Sequence, residues 1–241
     1  DYAFSVLTSD IEDTAGNALT AGTTETWAMD TVSPTVVIGP VTPDPINTAV
    51  TQVDIVFSEP MTGFNLSDLD LTLDGSANLL PGNAALTTSD DMTWTLSGLD
   101  TLTATDGAYV LSLAGSDATD AAGNGLTGTT EESWTMDGTP ITVSVTPVAP
   151  DPRNAAVDAV TIVFSEAAVN VDVTDFALTR DGGTNLLTGA ESLVSADDIT
   201  WTLSGLSGVT GASGDYAFSV LTSDIEDTAG NVLTAGITET W

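Results

Sequence analysis

The sequence contains no cysteine, no histidine and no lysine, and its two basic residues are Arg153 and Arg180. Without cysteine the fold can have no disulfide bond, and without lysine it can have no lysine–asparagine isopeptide bond. The absence of histidine and cysteine removes the commonest general base and the thiol nucleophile, so we expect no enzymatic activity. Any stabilisation must therefore come from packing or from a bound metal ion.

Basic charge is scarce, whereas acidic charge is abundant. Aspartate and glutamate total 35 residues, which gives a net charge of -33. Nucleic acids and anionic membranes bind basic surfaces, so we expect neither as a partner. The apolar runs are only a few residues long, so we expect no membrane insertion. Hydrophobic residues make up 41% of the chain, which is enough for packed cores. The acidic surface would attract cations, and adaptation to high salt is a second explanation of the charge.

The chain repeats itself with a period of 107 residues. Residues 215–241 reproduce residues 1–27 with only two differences, whereas the corresponding middle segment, 108–134, is much more divergent. This pattern suggests two alternating repeat types in a longer array. A period of this length suits an independent domain with its own core rather than a stacked solenoid unit.

The repeat predicts three units along the chain. Residues 1–30 are expected to be the C-terminal strands of a preceding repeat, and residues 31–137 and 138–241 are expected to be whole repeats. The first unit holds about two strands, and an isolated hairpin of two strands is marginally stable. We therefore expect strands from a neighbouring copy or from further chain to complete it, since strand exchange can link domains.

Alternating apolar and polar residues indicate β-strands throughout. Val53, Ile55 and Phe57 fall on one face of a predicted strand. Other runs alternate in the same way, and their apolar residues are Met92, Trp94, Leu96, Tyr109, Leu111, Leu113, Trp134, Met136, Val160, Ile162 and Phe164. About seven such runs occur in each repeat, separated by Gly, Asp, Asn and Pro clusters. The fold class predicted is all-β, with tandem Ig-like antiparallel β-sandwiches.

Each of two local motifs can be interpreted in two ways, one purely structural and one more specific. Tyr109 and Tyr216 begin a late strand, where a tyrosine of an Ig sandwich can bond back to the chain or can simply fill the core. The pair Asp90-Asp91 precedes a strand and is repeated at 197–198. A glycosidase needs two opposed carboxylates, but we interpret adjacent aspartates before a strand as a turn.

Several of these stretches resemble a known family. The segment "PTVVIGPVTPDPINTAVTQVDIVFSEPM" resembles the opening of bacterial Ig-like repeats of giant surface proteins and adhesins. The segments "DIEDTAGNALTAG" and "DATDAAGNGLTG" resemble the close of such repeats. The resemblance covers essentially the whole chain and implies a stalk, spacer or fibre outside the cell. Some members of that family bind calcium at domain junctions, and many do not.

The closing loop carries candidate ligands for a metal ion. Asp10, Asp13 and Asn17 are closely spaced oxygen ligands of the type that Ca²⁺ requires. Their equivalents in the later repeats are Asp117, Asp120, Asn124, Asp224, Asp227 and Asn231. One loop cannot complete a coordination shell, so we expect further ligands from the start of the next repeat. Those candidates are Asp30, Asp44, Glu59, Asp137, Asp151 and Glu166.

An alternative explanation of these loops is turn chemistry alone. Aspartate and asparagine side chains bond nearby backbone N–H groups, and this use would also recur in every repeat. The sequence leaves both explanations open. If calcium binds, it would stiffen the junction between neighbouring domains.

The function that we predict is structural. The chain is expected to form an extracellular or cell-surface rod or filament of Ig-like domains, self-associating or joined to neighbouring repeats. The stalk of a surface adhesin is the alternative, and its cell-surface or matrix ligand would bind elsewhere. A carbohydrate-binding module is a third hypothesis, but it needs exposed aromatic residues, and the 6% of aromatic residues are expected in the cores.

Overall fold

The structure is a computed structural model that describes residues 1–113, 117–222 and 224–241. Every strand pair in it is antiparallel. The helical parts are three short 3₁₀ turns, at Leu66–Asp68, Val173–Asp175 and Leu206–Gly208. The predicted all-β class is therefore confirmed.

Residues 1–30 contain one hairpin. Strand β1 (Tyr2–Val6) pairs with β2 (Thr23–Trp27), with Tyr2 opposite Trp27 and Phe4 opposite Glu25. These two strands form a sheet of their own, and among the described residues no third strand joins it. Phe4 is 64% exposed, so no described residue covers this part of the apolar face of the hairpin.

Within 31–137, the described residues form an Ig-like sandwich with seven strands. These are β3 (Val36–Ile38), β4 (Gln52–Phe57), β5 (Leu69–Leu73), β6 (Ala85–Thr88), β7 (Thr93–Ser97), β8 (Gly107–Leu113) and β9 (Thr130–Met136). One sheet has the order β3-β4-β7-β6, and the facing sheet has the order β5-β8-β9. The two sheets enclose one apolar cluster, which contains Ile55, Phe57, Leu96 and Leu111.

Residues 138–241 repeat this arrangement. Their strands are β10 (Val143–Val145), β11 (Ala159–Phe164), β12 (Ala168–Val169), β13 (Phe176–Arg180), β14 (Ser192–Ser195), β15 (Thr200–Ser204), β16 (Tyr216–Val220), β17 (Glu226–Asp227) and β18 (Ile237–Thr240). The order β10-β11-β15-β14 faces the order β13-β16-β18, and β12 pairs with β17 at the side. A second apolar cluster fills this sandwich, with Ile162, Phe164 and Phe218 fully buried.

The alternation read from the sequence matches the burial of the core strands. Along β4 the exposed and buried residues alternate strictly, with Val53, Ile55 and Phe57 inside. Tyr109 and Trp134 are buried opposite each other and stack with ring centroids 5.4 Å apart. The predicted core role of these residues is confirmed.

The two local motifs also take defined conformations. The Tyr109 hydroxyl donates to the Thr105 carbonyl at 2.9 Å, and the Tyr216 hydroxyl donates to the Ala212 carbonyl at 2.9 Å. Both tyrosines therefore fill the core and also make the corner bond. The Asp90 side chain accepts from the backbone of Thr93 at 2.8 Å, so this pair of aspartates forms a turn.

Strand direction divides each repeat into two ends. We call the end where β3 or β10 begins the leading end, and the opposite end the trailing end. Because β4 runs antiparallel to β3, residue Glu59 after β4 lies at the leading end. The described part of the loop between β8 and β9 also lies there, since Thr119 forms a β-bridge with Thr62, shortly after β4. Asp44, between β3 and β4, lies at the trailing end.

Candidate metal centre

The acidic loop adopts the same compact turn in all three places where its sequence occurs. In the middle loop, one oxygen of Asp120 accepts from the backbone N–H groups of Ala122 and Asn124, both at 2.8 Å. The other oxygen accepts from the Asn124 side-chain amide at 2.8 Å. The loops of Asp13 and Asp227 make the same three bonds. Turn chemistry therefore accounts for the spacing of Asp and Asn in these loops.

Two of these loop aspartates also meet other carboxylates. Asp30, Glu59 and Asp120 each offer a carboxylate oxygen, and these oxygens lie within 4.8 Å of one another. We call this group the Asp120 triad. Asp120 is buried, Glu59 is half-buried and Asp30 is exposed.

The next repeat builds the same group. Asp137, Glu166 and Asp227 bring their carboxylate oxygens within 4.8 Å of one another, and we call them the Asp227 triad. Asp227 is 1% exposed. Each triad joins three separate parts of the chain, namely the segment leading into the repeat, the end of β4 or β11, and the acidic loop.

The composition of the triads differs from the expected pairing. The sequence suggested that each loop would meet the start of the following repeat, so that Asp13 would meet Asp30 and Glu59. The structure instead pairs Asp30 and Glu59 with Asp120, from the loop of the same repeat. The reason is topological, because the leading segment, the end of β4 and the β8–β9 loop all lie at one end of the sandwich. The hydrogen bonds described for Asp13 lie within its own loop.

The loop asparagines act as donors. Asn124 donates from its side-chain amide to the Asp30 carbonyl at 3.2 Å, and Asn231 donates to the Asp137 carbonyl at 2.8 Å. These bonds hold the leading segment against the acidic loop. The amide of Asn17 donates to Asp13 at 2.8 Å. Each asparagine thus orders the loop through its side-chain nitrogen, and the metal-ligand role expected of its oxygen stays a prediction.

The remaining candidates lie apart from the triads. Asp44 accepts from the backbone N–H of Thr135 at 2.8 Å, at the trailing end of the repeat. Asp10 is exposed and has a positive φ of 60° in its turn. Among the described residues, Asp117, Asp151 and Asp224 likewise fall outside both carboxylate triads.

Crowding of negative charge shifts the acidity of the triads. Burial, followed by the nearby charges of Asp120 and Asp30, raises the pKa of Glu59. Burial also raises the pKa of Glu166, with added contributions from the charges of Asp137 and Asp227. The hydrogen bond from the Asn124 side chain is the main cause that lowers the pKa of Asp120. The pKa values of Glu59 and Asp120 are therefore shifted in opposite directions.

The Asp227 triad lies where the two sandwiches meet. Asp106, at the trailing end of the first sandwich, accepts from the backbone N–H of Gly138 at 2.7 Å. Its charge also contributes to the raised pKa of Glu166. A Cβ added to Gly230 of the acidic loop would lie 3.4 Å from the side-chain nitrogen of Asn47 in the first sandwich. Neither Asp106 nor Asn47 was expected at this site from the sequence. Asp106 is replaced by Ser213 in the next repeat, and Asn47, which recurs as Asn154, reads as part of a turn.

The chemistry available to each triad is that of a hard cation site. Three carboxylates within 4.8 Å present oxygen ligands of the kind that Ca²⁺ prefers. The loop aspartate uses part of its oxygen capacity on turn bonds, so water or backbone carbonyls would have to complete a shell of six to eight ligands. The residues present fit a divalent cation, which would offset most of the negative charge of the triad and would contact its three chain segments.

Across the described residues we find no helix with the length and apolar character that crossing a membrane requires.

The known proteins that this chain is similar to are solved structures with low sequence identity. No protein-family model and no curated protein sequence matches the chain. Similar solved structures include an I-band fragment of titin, with a TM-score of 0.40 and 16% identity over 88% of this chain. The N-terminal part of the bacterial S-layer protein SbsC has a TM-score of 0.31 and 17% identity over 86% of this chain. The chain covers 65% of the titin fragment and 44% of the S-layer structure, and the likeness concerns the Ig-like tandem fold alone.

Proposed function

We propose that this chain is part of an extracellular structural protein, a rod of tandem Ig-like domains whose junctions are stiffened by Ca²⁺. The observation that carries the proposal is the carboxylate triad at the leading end of both sandwiches. Each triad includes one residue of the segment that leads into its repeat, Asp30 or Asp137. A bound cation would therefore restrain the connection between neighbours as well as the loop itself.

The electrostatics of the triads support a cation. Burial and neighbouring charge raise the pKa values of Glu59 and Glu166, so their ionised forms are disfavoured at these positions. A divalent cation between the three carboxylates would reverse this repulsion. It would then favour the folded and connected state over the unfolded chain.

The Asp227 triad gives the stronger support for the proposal that a cation stiffens the junction. Asp106 belongs to the first sandwich and binds Gly138 just after Asp137. Asn47 of the first sandwich lies against the loop that carries Asp227. A cation held by Asp137, Glu166 and Asp227 would thus be placed beside both sandwiches, where it could restrict their relative motion.

The proposal is tested by thermal unfolding of the chain with excess Ca²⁺ and with EGTA at fixed ionic strength. We expect Ca²⁺ to raise the unfolding midpoint, since a ligand at 100 times its Kd stabilises by about 2.7 kcal/mol. The variant Glu166→Gln should lose the increase in the second sandwich. Glu131→Gln, which removes an exposed charge on β9 outside both triads, should keep it.

Two results would contradict the metal site. One is an equal increase from added NaCl, and the other is an equal calcium response of Glu166→Gln and Glu131→Gln. Stiffening is measured separately by small-angle X-ray scattering with and without Ca²⁺. A calcium-bound rod should show a narrower distribution of overall lengths than the metal-free chain.

The pH dependence in EGTA gives an independent check of the triad. Because the pKa of Glu166 is raised in the folded state, its contribution to stability is present below its ordinary pKa. That contribution is lost as the pH rises through the raised pKa. In wild type, the stability measured in EGTA should therefore fall as the pH rises through the pKa of Glu166. In Glu166→Gln this fall should be absent. A difference between wild type and variant that does not change with pH would show that Glu166 does not titrate as described.

The same rod could serve as the stalk of a surface adhesin, whose binding region would lie elsewhere. The stalk remains a prediction from the family resemblance. A carbohydrate-binding module is less well supported, because Trp134 is buried and stacked in the first core. The half-buried Trp94 packs edge-on against Phe64 of the same core.

A further inference from the structure

The hairpin of residues 1–27 exposes a face that is elsewhere part of a core. Tyr2 is 56% exposed and Phe4 is 64% exposed, whereas their equivalents Tyr216 and Phe218 are 3% and 0% exposed. Ile11 is 44% exposed, and its equivalent is fully buried. The two segments are identical at all three of these positions. The exposed face therefore has the side chains of a core strand without the surface that covers them.

The covering surface is known from the second copy of the sequence. Residues 215–241 lie in a groove formed by residues 138–214, which we call the acceptor groove. Strand β16 pairs there with β13, so that Phe218 lies opposite Leu178 and Val220 opposite Phe176. In the same register, Phe4 of the hairpin would lie opposite Leu178.

Polar contacts make this groove more specific than a simple apolar surface. In the acceptor groove, the Glu239 carboxylate accepts from the backbone N–H of Val148 at 2.9 Å. Glu25 occupies the same place in the hairpin, opposite Phe4 on its apolar face. An apolar partner without a matching donor would bury this carboxylate unpaired, which is costly. The acceptor groove supplies the donor.

We propose that the exposed face of β1 and β2 is a docking surface for a second copy of this chain, whose acceptor groove it enters in place of residues 215–241. The proposal rests on the proposed function, and it adds a non-covalent way of joining rods. Such a contact is heterologous, with the first hairpin of one copy in the last sandwich of the next. Repetition of this contact gives an open chain of molecules unless the ends meet.

The groove of the first sandwich fits the hairpin less well. Its own strand β8 has Leu111 where the hairpin has Phe4, and the segment after β8 has Ala118 where the hairpin has Ile11. Both Leu111 and Ala118 are completely buried. Larger side chains at these two positions would overpack that core. The docking surface is therefore expected to select the acceptor groove of residues 138–214.

In the wild-type chain, residues 215–241 already fill the acceptor groove, so one segment must leave before another enters. The exchange is nearly balanced because the two segments share 25 of 27 residues. A variant that weakens the binding of residues 215–241 alone shifts this exchange towards the hairpin of a second copy. Phe218→Asp places a charge at a fully buried position and leaves the hairpin intact.

The experiment compares the masses of full-length variants by sedimentation over a hundredfold range of concentration. We expect wild type to associate weakly, because its own residues 215–241 compete for the groove, and Phe218→Asp to form a stronger, concentration-dependent series of oligomers. The double variant Phe4→Asp/Phe218→Asp should be monomeric at every concentration. In the Phe218→Asp background, Glu25→Ala should weaken association about tenfold, because the Val148 N–H would lose its acceptor.

Three results would overturn the proposal. Phe218→Asp could stay monomeric at all concentrations. The double variant could associate as strongly as Phe218→Asp, which would indicate nonspecific aggregation of an unfolded sandwich. Wild type could associate as strongly as Phe218→Asp and lose this with Phe4→Asp, which would indicate that two hairpins pack on each other. None of these results changes the calcium response of wild type, so failure of docking is distinguishable from failure of the proposed rod.

Discussion

The first and last 27 residues show how far local sequence determines structure. Both segments place tyrosine opposite tryptophan, and in both the rings stack with centroids 5.6 Å apart. Both acidic loops make the same three side-chain bonds. The hairpin and the loop are therefore local structures that form from their own residues.

The two segments differ in how deeply their side chains are buried. Phe218 is fully buried against the facing strands, whereas Phe4 is mostly exposed. The carboxylate of Asp227 belongs to a triad, whereas Asp13 bonds within its own loop. Core packing and the candidate metal site thus depend on residues 138–214, which lie far away in sequence.

The largest difference is expected for the two phenylalanines. Phe218→Ala should cost about 3–5 kcal/mol in the free energy of unfolding of the second sandwich, because it leaves a cavity in the core. Phe4→Ala should change that free energy little, because the side chain is already exposed in the monomer. Urea unfolding of both variants measures this. Equal destabilisation by the two changes would mean that the hairpin face is covered in the free chain.

A smaller difference is expected for Glu25 and Glu239, the glutamates opposite the two phenylalanines. Glu239→Ala should cost about 1–3 kcal/mol, since the Val148 N–H would lose its acceptor. Glu25→Ala should leave the stability of the monomer unchanged. The same unfolding measurement applies, and hydrogen exchange at the Val148 amide should accelerate in Glu239→Ala alone.

The smallest effects are expected where the two segments differ. Thr23→Ile and Ile237→Thr exchange the residues of one such position, and Ile237 is 37% exposed. Each change should alter the free energy of unfolding by roughly 0.5 kcal/mol or less, as is usual for surface positions. A large loss of stability in Ile237→Thr would contradict this expectation. It would mean that the residue at this position, rather than the facing sheet, determines why residues 215–241 are buried and residues 1–27 are exposed.

Much of the fold could be predicted from the sequence, because apolar and polar residues alternate along the individual core strands. Val53, Ile55 and Phe57 point inward in a strand whose exposed positions are Gln52, Asp54 and Val56. The acidic residues of the triads were also identifiable from their recurrence in the repeats. Their pairing was not identified, because it depends on which strand ends lie together.

To predict which carboxylates meet in a triad, the direction of every strand between them has to be known. Glu59 and the loop of Asp120 lie at the same end because the strands before and between them reverse direction. The contact from Glu132 to the backbone N–H of Val41, 91 residues away, has no local signal at all. Such bonds arise from the register of two facing sheets, which side-chain pattern alone does not specify.

The position of the chain ends in the first sandwich has a mechanical consequence. The chain enters at the leading end through β3 and leaves at the trailing end through β9, whose neighbour Asp137 donates its backbone N–H to Ile46. A pull on both ends would load the ladder between β3 and β4 along the strand axes, so its bonds would have to break together rather than one at a time. The Asp120 triad lies just before β3, so a cation there would have to release Asp30 before the pulling force reached that ladder.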